Sequence, residues 1–169
     1  MCKLLNFGGH HMAENILAYH ERYMQLALAQ AQLAFDKDEV PVGAVIIAPD
    51  GNVIAQAYNA VEQTHTQTAH AEMHAIAQAG VALGDWRLQD CWLYVTLEPC
   101  AMCMNAIIIS RLAGVVYGAS SPLFGYLKVD KEGSSWLYKR DALTILSGIG
   151  EQEAQQLLRQ FFKQKRVRE

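Results

Sequence analysis

The chain has 169 residues, of which 51% are apolar and 18% are charged, and its net charge is −3 at pH 7. This length and composition are typical of one soluble globular domain. No apolar run approaches the ~18 residues that a membrane-spanning helix needs, so we expect no membrane insertion.

The first 13 residues lack the long apolar stretch and the cleavage site of a signal peptide. We therefore interpret residues 1–13 as a disordered leader and residues 14–169 as a single domain, because no repeat or linker divides them. Two of the four cysteines are spaced for a metal, which leaves Cys2 and Cys91 as free thiols. With no secretion signal, this cysteine usage predicts a cytoplasmic protein.

Charge is divided unevenly along the chain. Residues 1–100 carry 4 Lys and Arg against 11 Asp and Glu, whereas residues 101–169 carry 10 against 6. Several of these basic residues lie close together near the C-terminus. Such a tail is either a solvated helix end, where cations complement the helix dipole, or a contact surface for phosphate groups.

The first half of the chain predicts a helix, a hairpin and a second helix. Apolar residues recur at helical spacing over residues 14–35. Two β-rich runs, 42–48 and 53–58, flank a Pro-Asp-Gly-Asn turn and predict an antiparallel hairpin. Thr68 is suited to cap a helix that continues to about residue 82.

The second half of the chain alternates strands with helices. It predicts, in chain order, a strand, a helix, two strands and a final helix at residues 92–97, 100–110, 114–119, 142–146 and 151–167. Pro99 suits the start of the first of these helices, because proline has a fixed φ and no N–H to lose. The order of elements predicts a three-layer α/β/α domain with a mixed central sheet of about five strands.

The residues with the clearest chemistry are His70 and the pair Cys100 and Cys103. One imidazole and two thiolates are three zinc ligands, and zinc prefers four, so one position remains for water. Zinc lowers the pKa of that water from ~15.7 to about 7. The two cysteines are i,i+3 on a predicted helix, so their sulfurs share one face. The pattern predicts a catalytic zinc site.

Glu72 lies two residues after His70 and is suited to carry protons. On a helical wheel it points away from His70, which favours a proton carrier over a fourth ligand. His74 offers an alternative imidazole at i,i+4 from His70, although a position on the helix face fits it better. A lone Cys-x-x-Cys also fits a redox pair or half of a structural zinc site. Together, the two motifs predict an enzyme that uses zinc to add water.

The combination of His-x-Glu with Pro-Cys-x-x-Cys resembles the signature of the zinc-dependent nucleobase deaminases. Further segments resemble the bacterial tRNA adenosine deaminases within that superfamily. The resemblance covers about residues 23–118 well and the final helix loosely. Its motifs are Glu39-Val40-Pro41-Val42-Gly43-Ala44, Tyr58-Asn59, Thr68-Ala69-His70-Ala71-Glu72, Trp86-Arg87-Leu88, Leu93-Tyr94-Val95-Thr96-Leu97-Glu98-Pro99-Cys100 and Ser110-Arg111.

This resemblance implies a cytidine deaminase-like fold and hydrolytic deamination of adenosine to inosine at the wobble position of a tRNA anticodon. It also implies one Zn²⁺ per subunit, a homodimer, and an arginine tRNA as the expected partner. Ile107, Ile108 and Ile109 exceed what one helix face needs, which independently favours a dimer. An anticodon loop suits the reaction because its bases are already partly unstacked.

The resemblance also implies roles for individual residues. It assigns zinc binding and proton transfer to the same residues that the motif indicates. It adds Asn59, which would hydrogen-bond the flipped base or its ribose, and Val42 and Ala44, which would shape the pocket wall. The alternatives are that Asn59 is an ordinary strand end and that Val42 and Ala44 fill the core.

Two regions supply candidate RNA contacts. The loop after Ala119 departs from the family pattern, and its Phe124 and Tyr126 either stack on bases, for about 1–3 kcal/mol per base, or pack against the protein. Near the C-terminus, the resemblance implies contacts with the loop phosphates. The candidates there are Phe161, Phe162, Lys163, Lys165 and Arg166.

Two other functions remain open. A deaminase of a free nucleobase or nucleoside, such as cytosine or guanine, would use the same zinc chemistry. The altered loop favours this hypothesis and the basic tail disfavours it. The third hypothesis is a catalytically silent, zinc-stabilised RNA-binding subunit. Glu72 argues against it, because a silent relative would have little need of that carboxylate.

Overall fold

The structure is a computed structural model that describes residues 9–126 and 143–168. Within those ranges the chain forms five helices and five strands. None of the helices described there is both long enough and apolar enough to cross a membrane. In chain order the elements are α1 (Gly9–Asp36), β1 (Gly43–Ile47), β2 (Val53–Tyr58), α2 (Val61–Thr64), α3 (Ala71–Leu83), β3 (Trp92–Leu97), α4 (Ala101–Ile109), β4 (Gly114–Ala119), β5 (Thr144–Ser147) and α5 (Glu151–Arg168).

The strands form one mixed sheet in the order β2-β1-β3-β4-β5. β1 pairs antiparallel with β2 and with β3, which confirms the predicted hairpin. β3, β4 and β5 pair in parallel. Parallel neighbours need a crossover connection, and α4 supplies the one between β3 and β4. The predicted mixed sheet of five strands is confirmed.

Helices cover both faces of the sheet because successive strand residues face opposite sides. Ala44 and Ile46 of β1 belong to the core that α3 and α4 cover. Val45 and Ile47 belong to the core that α1 and α5 cover. A strand buried on both faces reads as an unbroken apolar run, as β1 does. The predicted three-layer α/β/α arrangement is confirmed.

α3 begins later than the sequence predicts. His70, not Thr68, is its N-cap, and the His70 backbone is extended, with φ −71° and ψ 153°. The chain is still in a turn before His70, because the Ala69 N–H donates to the Thr66 carbonyl and the Ala69 carbonyl accepts from the Ala60 N–H. His70 therefore lies just outside the helix instead of on its first turn.

α4 differs from the expectation in the same way. Its N-cap is Cys100, with an extended backbone of φ −73° and ψ 172°, and Pro99 precedes the cap instead of opening the helix. Cys100 also forms an isolated antiparallel bridge with Gly125. This bridge holds the Cys100 backbone in a strand-like conformation, so the helix starts one residue after it.

One helix and several other boundaries also differ from the prediction. α1 begins at Gly9, so residues 9–13, assigned from the sequence to a leader, are helical, and residues 1–8 lie outside the described ranges. The four-residue helix α2 was not predicted, because one turn is too short to show a periodic pattern. β5 covers Thr144–Ser147 instead of 142–146.

Candidate active site

Three metal-ligating side chains meet at the starts of α3 and α4. His70 Nδ1 lies 3.7 Å from Cys100 Sγ and 3.4 Å from Cys103 Sγ. The three donor atoms all lie within 4.8 Å of one another. Neither His70 nor Cys100 uses its side chain to cap its helix, so the imidazole and the thiol are free to face each other. The N-cap position therefore directs both groups into one cluster.

The chemistry of this cluster fits a zinc ion. One imidazole nitrogen and two sulfurs are a donor set that zinc prefers. Hydrogen bonds from Cys103 and from His70 lower the pKa of the Cys100 thiol to about 4. The hydrogen bond with Cys100 in turn raises the pKa of His70. The lowered pKa favours the thiolate form of Cys100, which is the form of cysteine that binds metals.

His74, the alternative imidazole, lies outside this cluster. It follows His70 by one helical turn on α3. Its Nε2 atom is buried and has no hydrogen-bond partner among the described residues. The structure therefore brings His70, and not His74, to the two cysteines.

Glu72 is the second residue of α3 and is only 4% exposed. It lines the same cleft as His70 and Cys100. Burial disfavours the charged carboxylate and raises the pKa of Glu72 above its ordinary value. A carboxyl with a raised pKa exchanges protons closer to neutral pH, as general acid–base chemistry requires.

A cleft of about 530 Å³ opens beside the cluster, a volume typical of small-ligand sites. Four of its described lining residues are carboxylates, and none is a lysine or an arginine. The lining residues are Glu39, Val40, Val42, Asn59, Val61, Glu62, Gln67, His70, Glu72, Leu97, Glu98, Cys100, Ser121 and Phe124.

Asn59 follows the last residue of β2 and is held by a buried carboxylate. Its Nδ2 donates to Glu39 Oε2 at 3.2 Å. Glu39 is fully buried and also accepts the backbone N–H groups of Glu62 at 3.2 Å and Gln63 at 2.6 Å. Sequence reasoning assigned no role to Glu39. The one sequence feature that could have indicated a role is that Glu39 is an acidic residue at the start of the otherwise apolar segment 39–44.

Comparison with known proteins identifies this arrangement. The cytidine and deoxycytidylate deaminase zinc-binding region matches residues 17–119. The chain belongs to this deaminase family. A tRNA-specific adenosine deaminase from Agrobacterium fabrum is 42% identical over 151 residues, covering 89% of this chain and 99% of the relative.

Two solved structures of deaminases are similar to this chain. One, from a study of A-to-I editing by tRNA:A34 deaminases at the wobble position, has a TM-score of 0.75 and 40% identity. It covers 81% of this chain and 99% of its own. The other, a guanine deaminase from Bacillus subtilis, has a TM-score of 0.57 and 36% identity and covers 68% of this chain and 69% of its own.

The resemblance to this deaminase family assigned two aliphatic residues to the pocket wall, and the structure separates them. Val42 lines the cleft. Ala44 is fully buried in the sheet, where it pairs with Ala57 and Val95. Ala44 is not among the residues that line the cleft, so its position agrees with the alternative interpretation as a core residue.

The two aromatic residues of the loop that departs from the family pattern also separate. Phe124 is 73% exposed and lines the cleft. Tyr126 is buried in the core below α3 and α4, and its backbone N–H donates to the Pro99 carbonyl at 3.0 Å. Tyr126 packs against the protein, whereas Phe124 is accessible for stacking. Residues 127–142 lie outside the described ranges.

Four of the five candidates on α5 line a groove that adjoins the cleft. Phe161 is buried and contacts the rings of Phe35 and Phe162. Lys165 forms an ion pair with Asp38 at 2.8 Å. This groove of about 790 Å³ runs beside these residues and is called here the α5 groove. It is lined by Lys37, Asp38, Val40, Glu62, Gln63, Phe161, Phe162, Lys165 and Arg166.

The α5 groove shares Val40 and Glu62 with the cleft, so the two cavities adjoin. Lys163, the remaining candidate, lines a separate surface depression together with Val167. The basic and aromatic side chains of the groove thus lie next to a cleft that is itself acidic.

Proposed function

We propose that the protein is a zinc-dependent tRNA deaminase that converts adenosine to inosine at the wobble position of an anticodon. The observation that carries this proposal is the cluster of His70, Cys100 and Cys103 beside the buried Glu72 in one cleft. The tRNA-specific relative from Agrobacterium fabrum and the solved A34 deaminase, each about 40% identical over most of this chain, support the choice of substrate.

The residues of the cleft divide the chemistry between them. His70, Cys100 and Cys103 would hold one zinc ion, which when bound supplies a Lewis acid that lowers the pKa of a water molecule. Glu72 accepts a proton as water adds to the ring carbon that bears the amino group. It delivers this proton to the ring nitrogen. It then takes the second proton from the added hydroxyl and delivers it to the departing amine, as the C–N bond breaks and the carbonyl of inosine forms. Adenosine and water thereby become inosine and ammonia.

The charges around the cleft support a neutral base as its occupant. The carboxylates that line the cleft repel phosphate groups, whereas an uncharged base is not repelled. Lys37, Lys165 and Arg166 line the adjoining α5 groove, where cations attract a nucleic-acid backbone. We propose that the flipped base enters the cleft while the phosphates of the anticodon loop stay at the groove. Asn59 and Val42 contact the base, and Phe124 stacks near the entrance.

We propose three further properties. The substrate is an arginine tRNA, the protein acts in the cytoplasm, and it forms a homodimer. Two large apolar side chains near the ends of α3 and α4 support the dimer, because Trp86 is 52% and Ile109 is 43% exposed. Sedimentation of the zinc-loaded protein at micromolar concentration tests this interface, and a monomer would contradict it.

The decisive experiment compares RNA with free bases. Zinc-loaded protein is incubated with an unmodified arginine tRNA that carries A34 and, separately, with guanine, cytosine and adenosine. We expect inosine only at position 34 of the tRNA. Ammonia released from a free base, with no inosine in the tRNA, would refute the RNA substrate.

The second candidate is a guanine deaminase. The 36% identity to the guanine deaminase from Bacillus subtilis favours it, as does a cleft large enough for a purine. The guanine incubation described above distinguishes this candidate from the first. A silent RNA-binding subunit predicts no ammonia from any substrate, and the buried Glu72 counts against it.

The salt dependence of RNA binding tests the α5 groove. Each phosphate contact to single-stranded RNA contributes a slope of roughly 0.7 in a plot of log affinity against log salt. Arg166→Gln should lower the slope by that amount, whereas Arg22→Gln on α1 should leave it unchanged. Fluorescence anisotropy of an anticodon stem–loop between 50 and 200 mM salt, a range typical of such titrations, measures both. An unchanged slope in Arg166→Gln would remove Arg166 from the interface.

A further inference from the structure

We infer that Glu39 is a positioning residue that fixes the orientation of the Asn59 side-chain amide and so sets which hydrogen bonds a base finds in the cleft. The identity of that base rests on the proposed function. The contact itself does not, because it is a feature of the fold. Asn59 borders the cleft, and Glu39 acts through it.

Three donors converge on the Glu39 carboxylate. The Asn59 Nδ2 lies 3.2 Å from Oε2, the Glu62 backbone nitrogen lies 3.2 Å from Oε2, and the Gln63 backbone nitrogen lies 2.6 Å from Oε1. Glu39 itself is fully buried. A buried carboxylate is costly unless hydrogen bonds compensate it, so these three contacts are strongly maintained.

The chemistry of the pair selects one orientation of the amide. A carboxylate only accepts hydrogen bonds, whereas an amide has an NH₂ group at one end and an oxygen at the other. If the Asn59 amide turned over, its Oδ1 would meet the Glu39 carboxylate, and two buried acceptors would repel each other. Glu39 therefore engages one N–H and leaves Oδ1 and the second N–H of Asn59 for the substrate. The cleft presents an acceptor and a donor from one rigid group.

The backbone around Asn59 is held by the same contacts. The Asn59 N–H donates to the Val42 carbonyl at 2.9 Å, which fixes the end of β2. The Glu39 carboxylate ties the next turn at Glu62 and Gln63. The backbone is thus anchored on both sides of Asn59, and the bond from Asn59 Nδ2 to Glu39 restrains the side chain itself.

A double-mutant cycle tests this inference. Glu39→Gln removes the charge and supplies a side chain that can donate as well as accept, so the Asn59 amide is no longer selected. We expect kcat/KM to fall about 10- to 100-fold, mainly through KM, with zinc content unchanged. Asn59→Ala should cost as much. The double variant should lie within about threefold of Asn59→Ala alone, because the inferred effect of Glu39 on the substrate runs through the Asn59 amide.

Asp50→Asn is a matched control. Asp50 accepts from the Asn52 side chain at 2.7 Å and from the Asn52 backbone at 3.0 Å, so it resembles the Glu39 pair but lies in the β1–β2 turn. Its kcat/KM should equal that of the wild type. A double variant in which the losses from Glu39→Gln and Asn59→Ala multiply would overturn the inference, since Glu39 would then act independently of Asn59.

The cycle separates this inference from the proposed function. All variants are assayed on the A34 stem–loop and on guanine. If the wild type converts only guanine, the proposed function fails. The kcat/KM values of the variants for guanine then test the inference about Glu39. If Glu39→Gln does not fold, the amide protons of Asn59 are observed by NMR in the zinc-loaded wild type. One slowly exchanging proton supports the bond to Glu39, and two rapidly exchanging protons would overturn it.

Discussion

Among single residues, Glu72 has the environment best matched to proton transfer. It is nearly inaccessible to solvent, yet it lines the cleft together with His70 and Cys100. Because burial favours the protonated form, a proton taken from water is retained until a stronger base accepts it. With no role in the reaction, the same buried carboxyl would only lower the stability of the fold.

Replacing Glu72 by alanine should abolish turnover and preserve zinc. General acid–base catalysis contributes about 10²–10⁴-fold, so kcat should fall by at least about 100-fold. Zinc content measured by atomic absorption should stay at one ion per subunit, because the carboxylate is not one of the clustered donors. Glu21→Ala, on an exposed position of α1, is the control and should retain both. Loss of zinc from Glu72→Ala would refute the assignment.

His20 is another buried titratable residue, on the opposite face of the sheet from Glu72. Its Nδ1 lies 2.9 Å from the Tyr94 hydroxyl, and the rings of Tyr19 and Trp92 pack around it. Burial lowers the pKa of His20. The pKa values of Tyr19 and Tyr94 are raised, mainly by burial, so both hydroxyls stay neutral below pH 8 and the imidazole is the group that titrates.

This burial predicts a loss of stability in weak acid. The unfolded chain protonates His20 near its ordinary pKa of about 6.5, whereas the folded chain resists protonation. Stability is therefore complete above that pH and falls as the pH decreases below it. Tm measured from about pH 8 to about pH 5 with saturating zinc should decline less in His20→Gln than in the wild type. His65→Gln, at an exposed position, should follow the wild type, and equal slopes in all three would contradict the prediction.

At the scale of elements, Gly43 sets how closely α1 approaches β1. A Cβ atom at Gly43 would lie 2.1 Å from the Ala27 carbonyl oxygen and 2.4 Å from the Ala31 nitrogen. Both contacts are with helix backbone, which cannot move without shifting α1. Glycine at this position therefore permits the packing of the first layer on the sheet.

Gly43→Ala should lower the free energy of unfolding by about 1–3 kcal/mol, as overpacking typically does. Gly80→Ala is the contrasting control. Gly80 lies within α3, and the atoms nearest to its added Cβ are 3.6 and 3.9 Å away, so alanine should stabilise the helix by up to about 1 kcal/mol. Urea denaturation measures both changes. Equal stability of the two variants would contradict the prediction, because it would show that α1 can shift away from β1 with no loss in the free energy of unfolding.

The regular elements could be predicted from sequence because their signals are local. The three-layer arrangement follows from the order of helices and strands, and the zinc cluster follows from the short spacings of His70, Glu72 and the cysteine pair. The N-cap positions of His70 and Cys100 could not be predicted, since they depend on turn and bridge contacts with distant residues. The pairing of Glu39 with Asn59, 20 residues apart, depends on burial in the same way.

The sequence also could not distinguish the two aromatic residues of the loop after β4. Phe124 and Tyr126 are two residues apart and both are aromatic, yet Phe124 is exposed at the cleft and Tyr126 is buried. The difference arises because the Tyr126 N–H is tied to Pro99, a contact that no periodicity in the loop reveals. Only one of the two is therefore a candidate for stacking on RNA.

For the whole molecule, a bound metal would link two helices that start 30 residues apart. His70 precedes α3 and Cys100 precedes α4, so an ion held by both restrains these two helices, which cover the same face of the sheet, relative to each other. Metal binding to the folded chain contributes directly to folding free energy. The cluster is thus expected to serve stability as well as chemistry.

Removal of zinc should therefore lower Tm. At a free zinc concentration of 100 times Kd the ion stabilises by about 2.7 kcal/mol, which corresponds to roughly 5–11 °C for a chain of this size. Calorimetry before and after chelation measures the shift, and added zinc should reverse it. His70→Ala should show no response to the chelator. A wild-type Tm that does not respond would mean that the cluster binds no metal.

The bridge between Cys100 and Gly125 affects which parts of this protein can be substituted during evolution. The loop of residues 120–126 contacts the segment 98–100 at three places. Besides the Cys100–Gly125 bridge, the Ser121 N–H donates to Glu98 and the Tyr126 N–H donates to Pro99. Between these contacts the tip of the loop, with Leu123 and Phe124, is exposed to solvent. The tip can therefore be exchanged by mutation while the ends keep their register with a metal ligand, so new substrates can be explored without rebuilding the reaction centre.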